Sequence, residues 1–154
     1  MASSTDFTST SPDPLLQQMF DKFAQANACW YSSVRRGSRS HLAPIWHVWC
    51  ADAIYVITRT NAIRTQNLQY STSVSLALPD TNNVLIIEGS ASIAQEVPAE
   101  LYPLFQTKYN WDAHSDTEYA MIIRIVPSKV LAWGDHGSGR WIFDQTHLVW
   151  SKLP

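Results

Sequence analysis

Apolar positions change period along the chain, and that change divides it into elements. Residues 1–13 are rich in Ser, Thr and Asp and show no period, so they read as a flexible tail ahead of one domain over 14–154. Asp13 followed by Pro14 reads as an N-cap and first helical position. Leu15, Leu16, Met19, Phe20, Phe23 and Ala24 follow at helical spacing and predict a helix over about 14–26. Strand-like runs come next: "ACWYSSVR" at 28–35, "HLAPIWHVWC" at 41–50 and "AIYVIT" at 53–58. "RRGSRS" joins the first two as a hairpin, with Gly37 able to take positive φ. A short helix is predicted over 62–70, then strands at 73–79 and 84–94, separated by the turn signal "DTNN". "PAELYPLFQTKY" at 98–109 predicts a helix that Pro103 should kink or divide. Residues 119–134 predict one long strand or two, bent at Pro127, and 139–144 a last short strand.

Six or seven mostly consecutive strands with short interposed helices favour a mainly β fold, an antiparallel barrel. The strands are apolar on both faces. In 41–50, Leu42, Trp46 and Val48 share one face, and Ile45 and Trp49 share the other. One face fills the barrel; the second needs a cover, which in 154 residues points to a second copy of the chain.

Composition narrows the class. The apolar fraction is 45%, with seven Trp, which is that of a folded globular domain. No apolar run approaches the roughly 20 residues that span a bilayer. "MASSTDFTST" carries neither the basic start nor the apolar stretch of a secretory signal, so the expected location is the cytoplasm. Cys29 and Cys50 sit in apolar contexts without metal spacing and read as buried free thiols. His41, His47, His114, His136 and His147 make no HxxxH or HExxH pattern, so no metal site is expected. His41 and His47 read as structural.

Net charge is −2, and it is unevenly spread. From Lys22 to Pro79 the bases are Lys22, Arg35, Arg36, Arg39, Arg59 and Arg64, against the single acid Asp52. A basic half inside a mildly acidic protein suggests a compact anion site and argues against a nucleic-acid surface. Arg64 falls near a predicted helix start, where a cation is disfavoured by a few tenths of a kcal/mol. With Thr58 and Thr60 nearby, a phosphate cradle would account for it; a solvated surface Arg is the plainer reading.

Residues 28–79 carry a resemblance in their order. "SVRRGSRSHLAPIWHVWCADAIYVITRTNAIRTQNLQYSTSVSLALPD" resembles the pyridoxamine 5'-phosphate oxidase-like family of FMN-binding split barrels. "VLIIEGSASI", "KYNWD" and "VLAWG" continue the likeness to about residue 143. The resemblance implies a split β-barrel homodimer with a flavin at each subunit interface and a small-molecule substrate. It implies phosphate contacts from Thr58, Arg59, Arg64 and Asn67, and a flavin ring against Ala43, Pro44, Ile45 and Trp46. Trp111, Arg140 and Trp141 are expected contributors from the partner chain. The chain departs from the family in having Arg64 for its usual Lys, and Ala62 and Ile63 where a hydroxyl and a second base are common. "HGSGRWIF" offers one Arg in place of the fuller basic set of the true oxidases, so that activity is not expected. The implied function is an FMN-dependent oxidoreductase, with no catalytic acid or base assigned. The alternatives are a deazaflavin-dependent reductase and a barrel that holds flavin or haem without turnover.

Overall fold

The computed structural model describes residues 13–51 and 53–154, so the expected tail at 1–13 lies outside the described residues but for Asp13. Asp13 caps α1 (Pro14–Gln25): one carboxylate oxygen accepts the Leu15 and Leu16 N–H groups, at 2.9 and 3.3 Å. The other accepts the Trp141 indole N–H at 2.8 Å, which pins the helix start to the far end of the chain. Leu16, Met19, Phe20 and Phe23 form the buried face of α1.

Among the described residues nine strands form one antiparallel sheet: β1 (Cys29–Arg35), β2 (Arg39–Ile45), β3 (Val48–Cys50), β4 (Ala53–Thr58), β5 (Ser73–Ala77), β6 (Val84–Ile93), β7 (Met121–Trp133), β8 (Gly139–Asp144) and β9 (Val149–Lys152). Their order is β2-β1-β5-β6-β7-β4-β3, with β8 and β9 continuing from β7. The β1–β2 turn has Gly37 at φ 85°, as its sequence required.

The long strand β7 makes the barrel a split one. Its first half pairs with β4, from Met121 against Thr58 to Ile125 against Ile54. Its second half pairs with β8, Lys129 to Ala132 against Ile142 to Gly139. Between them the register with β6 shifts at Glu88/Gly89, opposite Pro127. So 119–134 is one strand with a bulge at the expected bend.

Four expectations are corrected. Residues 41–50 are two strands, because the chain changes partner: β2 pairs with β1, β3 pairs with β4, and Trp46–His47 lies between. Apolar alternation runs through the break, since both partners offer apolar faces, and so hid it. α2 (Ile63–Asn67) is only 5 residues long, against the predicted 62–70, and continues as turns. α3 (Leu101–Tyr109) begins late enough that Pro103 sits in its first turn, where the missing N–H has no intrahelical partner, and the helix is not divided. β9 was not anticipated: "VWSK" is too short to show a period.

Two apolar clusters result. The larger joins α1 to Tyr31, Leu76, Ile87, Ile125, Val130, Trp141 and Trp150. The smaller packs Val48, Cys50, Tyr55 and Ile57 against Leu101 and Phe105 of α3. The second face of β3 and β4 is therefore covered by α3 of the same chain, where a second subunit was expected. Trp30, Leu42, Trp133 and Ile142 stay exposed on the other strands. Both cysteines are buried and free, as expected. Among the described residues no helix is long and apolar enough to cross a membrane.

Candidate functional site

β4 delivers Thr58, fully buried, at its end, and the chain turns directly into α2. Arg64 reaches back from α2, and its Nη1 donates to Thr58 Oγ1 at 2.8 Å. Thr65 Oγ1 donates to Arg59 O at 2.8 Å and Asn67 Nδ2 to Ser33 Oγ at 2.9 Å, so α2 is tied to both β4 and β1. In so short a helix Arg64 is near both ends, and the cost of a cation at the helix start nearly vanishes. What remains unexplained locally is its Nε, buried without a partner.

Arg64 lines a cleft of about 590 Å³. Pro44, Ile45 and Trp46 line it from the end of β2, and Tyr109, Asn110, Trp111, Asp116 and Tyr119 from the end of α3 and the segment that follows. The Trp46 and Tyr109 rings stack at 4.4 Å with planes 4° apart, and Trp111 meets Trp46 edge-on at 6.0 Å. Asp116 braces this wall. Its carboxylate accepts the Trp111 indole N–H at 3.1 Å and the Glu118 and Tyr119 N–H groups at 2.9 and 3.1 Å. The Tyr119 N–H first among these donors holds the Asp116 carboxyl below its ordinary range. Trp46 is 48% exposed, so the cleft offers open aromatic surface.

A second group of polar atoms lies on the inward face of the β1–β2 hairpin. Tyr31, Ser33 and Arg35 alternate along β1, and His41 pairs with Ser33 across the ladder. Ser33 is bonded to Asn67, so α2 lies over this face. Tyr31 Oη, Arg35 Nε and His41 Nδ1 are buried without partners, as is Arg64 Nε. Burial lowers the His41 pKa, and the nearby Arg35 and Arg64 charges lower it further. Burial pushes the Tyr31 hydroxyl up to about 12, against the pull of Arg64. Unpaired cations and unfilled donors gathered in one place are complementary to an anion.

The expected site residues divide accordingly. Pro44, Ile45, Trp46, Thr58, Arg64 and Trp111 come together at the cleft, Trp111 from the same chain where the partner chain was expected to supply it. Ala43 pairs with Tyr31 beside the wall. Arg59 turns away: it pairs with Glu118 at 2.9 Å and covers the Tyr119 ring at 4.9 Å. Asn67 fixes α2 rather than facing the cleft. Arg140 is exposed and donates to Pro154 O at 3.3 Å. Trp141 is enclosed in its own chain's core and leaves no ring surface for a partner. Sequence reasoning missed Tyr31 and Arg35 and took His41 as structural; the signal was a period-two run of polar residues entering an otherwise apolar hairpin. It also missed Tyr109 and Tyr119, which local periodicity assigns to helix and strand ends.

No family model and no curated protein matches this chain. Solved structures do. A provisionally assigned pyridoxamine 5'-phosphate oxidase from Listeria innocua superposes with a TM-score of 0.65 at 16% identity, over 79% of this chain and 99% of its own. The haem-storage protein HutZ from Vibrio cholerae gives 0.64 at 14% identity, over 79% and 96%. A pyridoxamine 5'-phosphate oxidase-related, FMN-binding protein from Nostoc punctiforme gives 0.60 at 10% identity, over 93% of each chain. The resemblance read from residues 28–143 thus holds at the level of the fold: this chain has the split β-barrel fold that these structures share.

Proposed function

We propose that this protein binds FMN in the aromatic cleft and acts as a flavin-dependent oxidoreductase on a small organic substrate, as a homodimer. The observation that carries the reading is Arg64. Its guanidinium is anchored through Nη1 to Thr58, keeps Nε free, and lines a cleft that also holds the stacked Trp46 and Tyr109 rings. A planar ring with a phosphate tail has the matching chemistry, apolar face at one end and dianion at the other. Bound there, FMN would supply hydride and electron transfer, while the chain's residues orient the ring and tune it.

The residues fit the group. Arg64 and Thr58 serve the phosphate, with Arg35, His41 and Tyr31 as further donors from the hairpin side. These stand in for the contacts that Ala62 and Ile63 cannot make. Pro44, Ile45 and Trp46 serve the ring. A deazaflavin taken up as a dissociable co-substrate is the nearest variant.

The test is an absorption spectrum of the purified protein and of the supernatant after denaturation, followed by titration with FMN and riboflavin. Released flavin, or FMN bound much more tightly than riboflavin, is expected. Arg64→Ala should weaken FMN by about tenfold or more while leaving riboflavin nearly unchanged. Equal affinity for FMN and riboflavin in the wild type would remove the phosphate cradle. A Soret band would replace flavin with haem.

A further inference from the structure

The cleft's aromatic wall hangs on a group that lies outside the cleft. Trp46 is the residue at which β2 has ended and β3 has not begun, so no ladder fixes it. Its successor His47 is held instead by α3. The His47 N–H donates to Tyr109 Oη at 2.9 Å, and the His47 carbonyl accepts from Lys108 Nζ at 2.7 Å. Lys108 Nζ also donates at 3.0 Å to the carbonyl of Ala24, in the last turn of α1. One ammonium thereby ties the end of α1 to the strand break, as cations do at helix C-termini. The Tyr109 hydroxyl lies 2.8 Å from Asn27 O and 2.9 Å from His47 O, and its single proton serves one of them at a time. Lys108 is thus the persistent donor to His47 O.

The groups facing Lys108 are neutral. From α1 come carbonyls. From β1 comes the Cys29 thiol, pushed up to about 12 by burial. From the strand break comes His47, whose ring burial drives down to about 4 and whose Nε2 donates to Phe23 O at 2.8 Å. From α3 itself comes the Tyr109 ring, 5.2 Å from Nζ, its hydroxyl raised to about 12 by burial. Among the described residues the ammonium is the lone charge in this knot and has no carboxylate.

We propose that Lys108 is a positioning residue for the ring site. Its positive charge clamps the Trp46–His47 break and so holds Trp46 parallel to Tyr109 in the cleft wall. The affinity for a planar ring then follows the charge state of Lys108. Burial lowers its pKa to about 8, so the clamp loosens within a mildly alkaline range. The neutral amine still donates, but without charge assistance.

The ring-affinity part of this inference rests on the proposed FMN site, and the test separates the two. The ligand-free reporter is the Trp46 indole N–H signal in a ¹H–¹⁵N spectrum, assigned by its disappearance in Trp46→Phe. It should move with a midpoint near pH 8 in the wild type. In Lys108→Arg, which stays charged throughout, it should not move, and in Lys108→Met it should sit at the high-pH position at every pH. FMN affinity should fall by several-fold to about tenfold between pH 7 and pH 9.5 in the wild type, and stay level in Lys108→Arg. A Trp46 signal that titrates alike in the wild type and Lys108→Arg would overturn the proposal. So would a Lys108→Met protein with the wild-type Trp46 shift at pH 7. If FMN fails to bind while the Trp46 signal behaves as expected, the clamp stands and the FMN reading falls.

Discussion

At Arg64 and at His47, opposite solutions serve a polar group inside an apolar barrel. Arg64 keeps a charge that has no counter-ion among the described residues and leaves Nε unfilled, an arrangement costly unless something external completes it. His47 gives its charge up. Its ring is wholly enclosed against Phe23, 4.4 Å between centroids, and Nε2 meets the Phe23 carbonyl. Its pKa falls from 6.5 to about 4 because burial, and then the Lys108 charge, disfavour the imidazolium, while the Phe23 carbonyl pulls the other way. The sign of the consequence is fixed: the unfolded chain takes up a proton below pH 6.5 that the folded chain resists until about pH 4. Stability that is full above pH 6.5 is therefore lost as pH falls toward 4, by at most ~3 kcal/mol from this group. Urea unfolding at pH 7 and pH 4.5 should show the loss. His47→Gln, which keeps a donor for Phe23 O, should reduce the difference to what His41 and the acids contribute. Asp80 and Asp116 titrate lower still, because Asn83 and Tyr119 N–H groups respectively donate to them, and fall outside this window. An undiminished pH difference in His47→Gln would sink the assignment. Sequence showed Arg64 as a residue out of place. It could not show that His47 is buried, since "WHVW" reads the same whether the strand runs on or breaks there.

Among the elements, those with a strong local period were legible and those defined by a change of partner were not. α1 could be read from Asp13 and six apolar positions, and β4 from its run of buried residues. The break at Trp46–His47 is set by tertiary pairing, and it positions the cleft wall, so the most functional irregularity was the least visible. The bend of β7 is an intermediate case: Pro127 announced it, but the partner that makes it possible, Gly89, carried no local signal. A Cβ placed at Gly89 would lie 2.5 Å from the Val126 carbonyl oxygen and 3.1 Å from its carbon, both backbone atoms in the central strand pair. Neither can rotate away. Gly89→Ala should cost about 1–3 kcal/mol in urea unfolding, as overpacking does. Gly37→Ala meets nothing within 4 Å and carries only the strain of φ 85°, about 1 kcal/mol. The order of the two losses is the check. A Gly89→Ala protein no less stable than Gly37→Ala would mean that β6 and β7 slide past each other at the bulge, and that the split is not rigid.

For the whole molecule, the sequence posed the covering of two-faced strands, and the structure divides the answer. α3 covers β3 and β4, whereas the outward face of the other strands is uncovered within the chain. Pro44, Trp30, Ala77, Ile86 and Leu131 lie side by side across β2, β1, β5, β6 and β7, one residue from each strand. Trp30 is 41% exposed, Leu42 on the same side 61%, and Trp133 48%. Pro44 and Trp30 in this row are exposed and Ala77, Ile86 and Leu131 half-buried, so apolar side chains reach solvent across five strands. A second copy related by a two-fold axis would bury this row against itself. β2 ties this face to the cleft, since Pro44 belongs to both and Trp46 follows directly. Association and ligand affinity should then change together. In sedimentation the wild type should run at twice 17.4 kDa. Leu42→Lys, which places a charge at the most exposed apolar position of the face, should shift it toward the single-chain mass with the far-UV spectrum unchanged. FMN affinity should fall with it, although Leu42 does not line the cleft. If the wild type sediments as one chain, the dimer is excluded and each cleft must be complete on its own. If Leu42→Lys separates the subunits and FMN affinity stays, the interface and the flavin site are independent parts of the molecule.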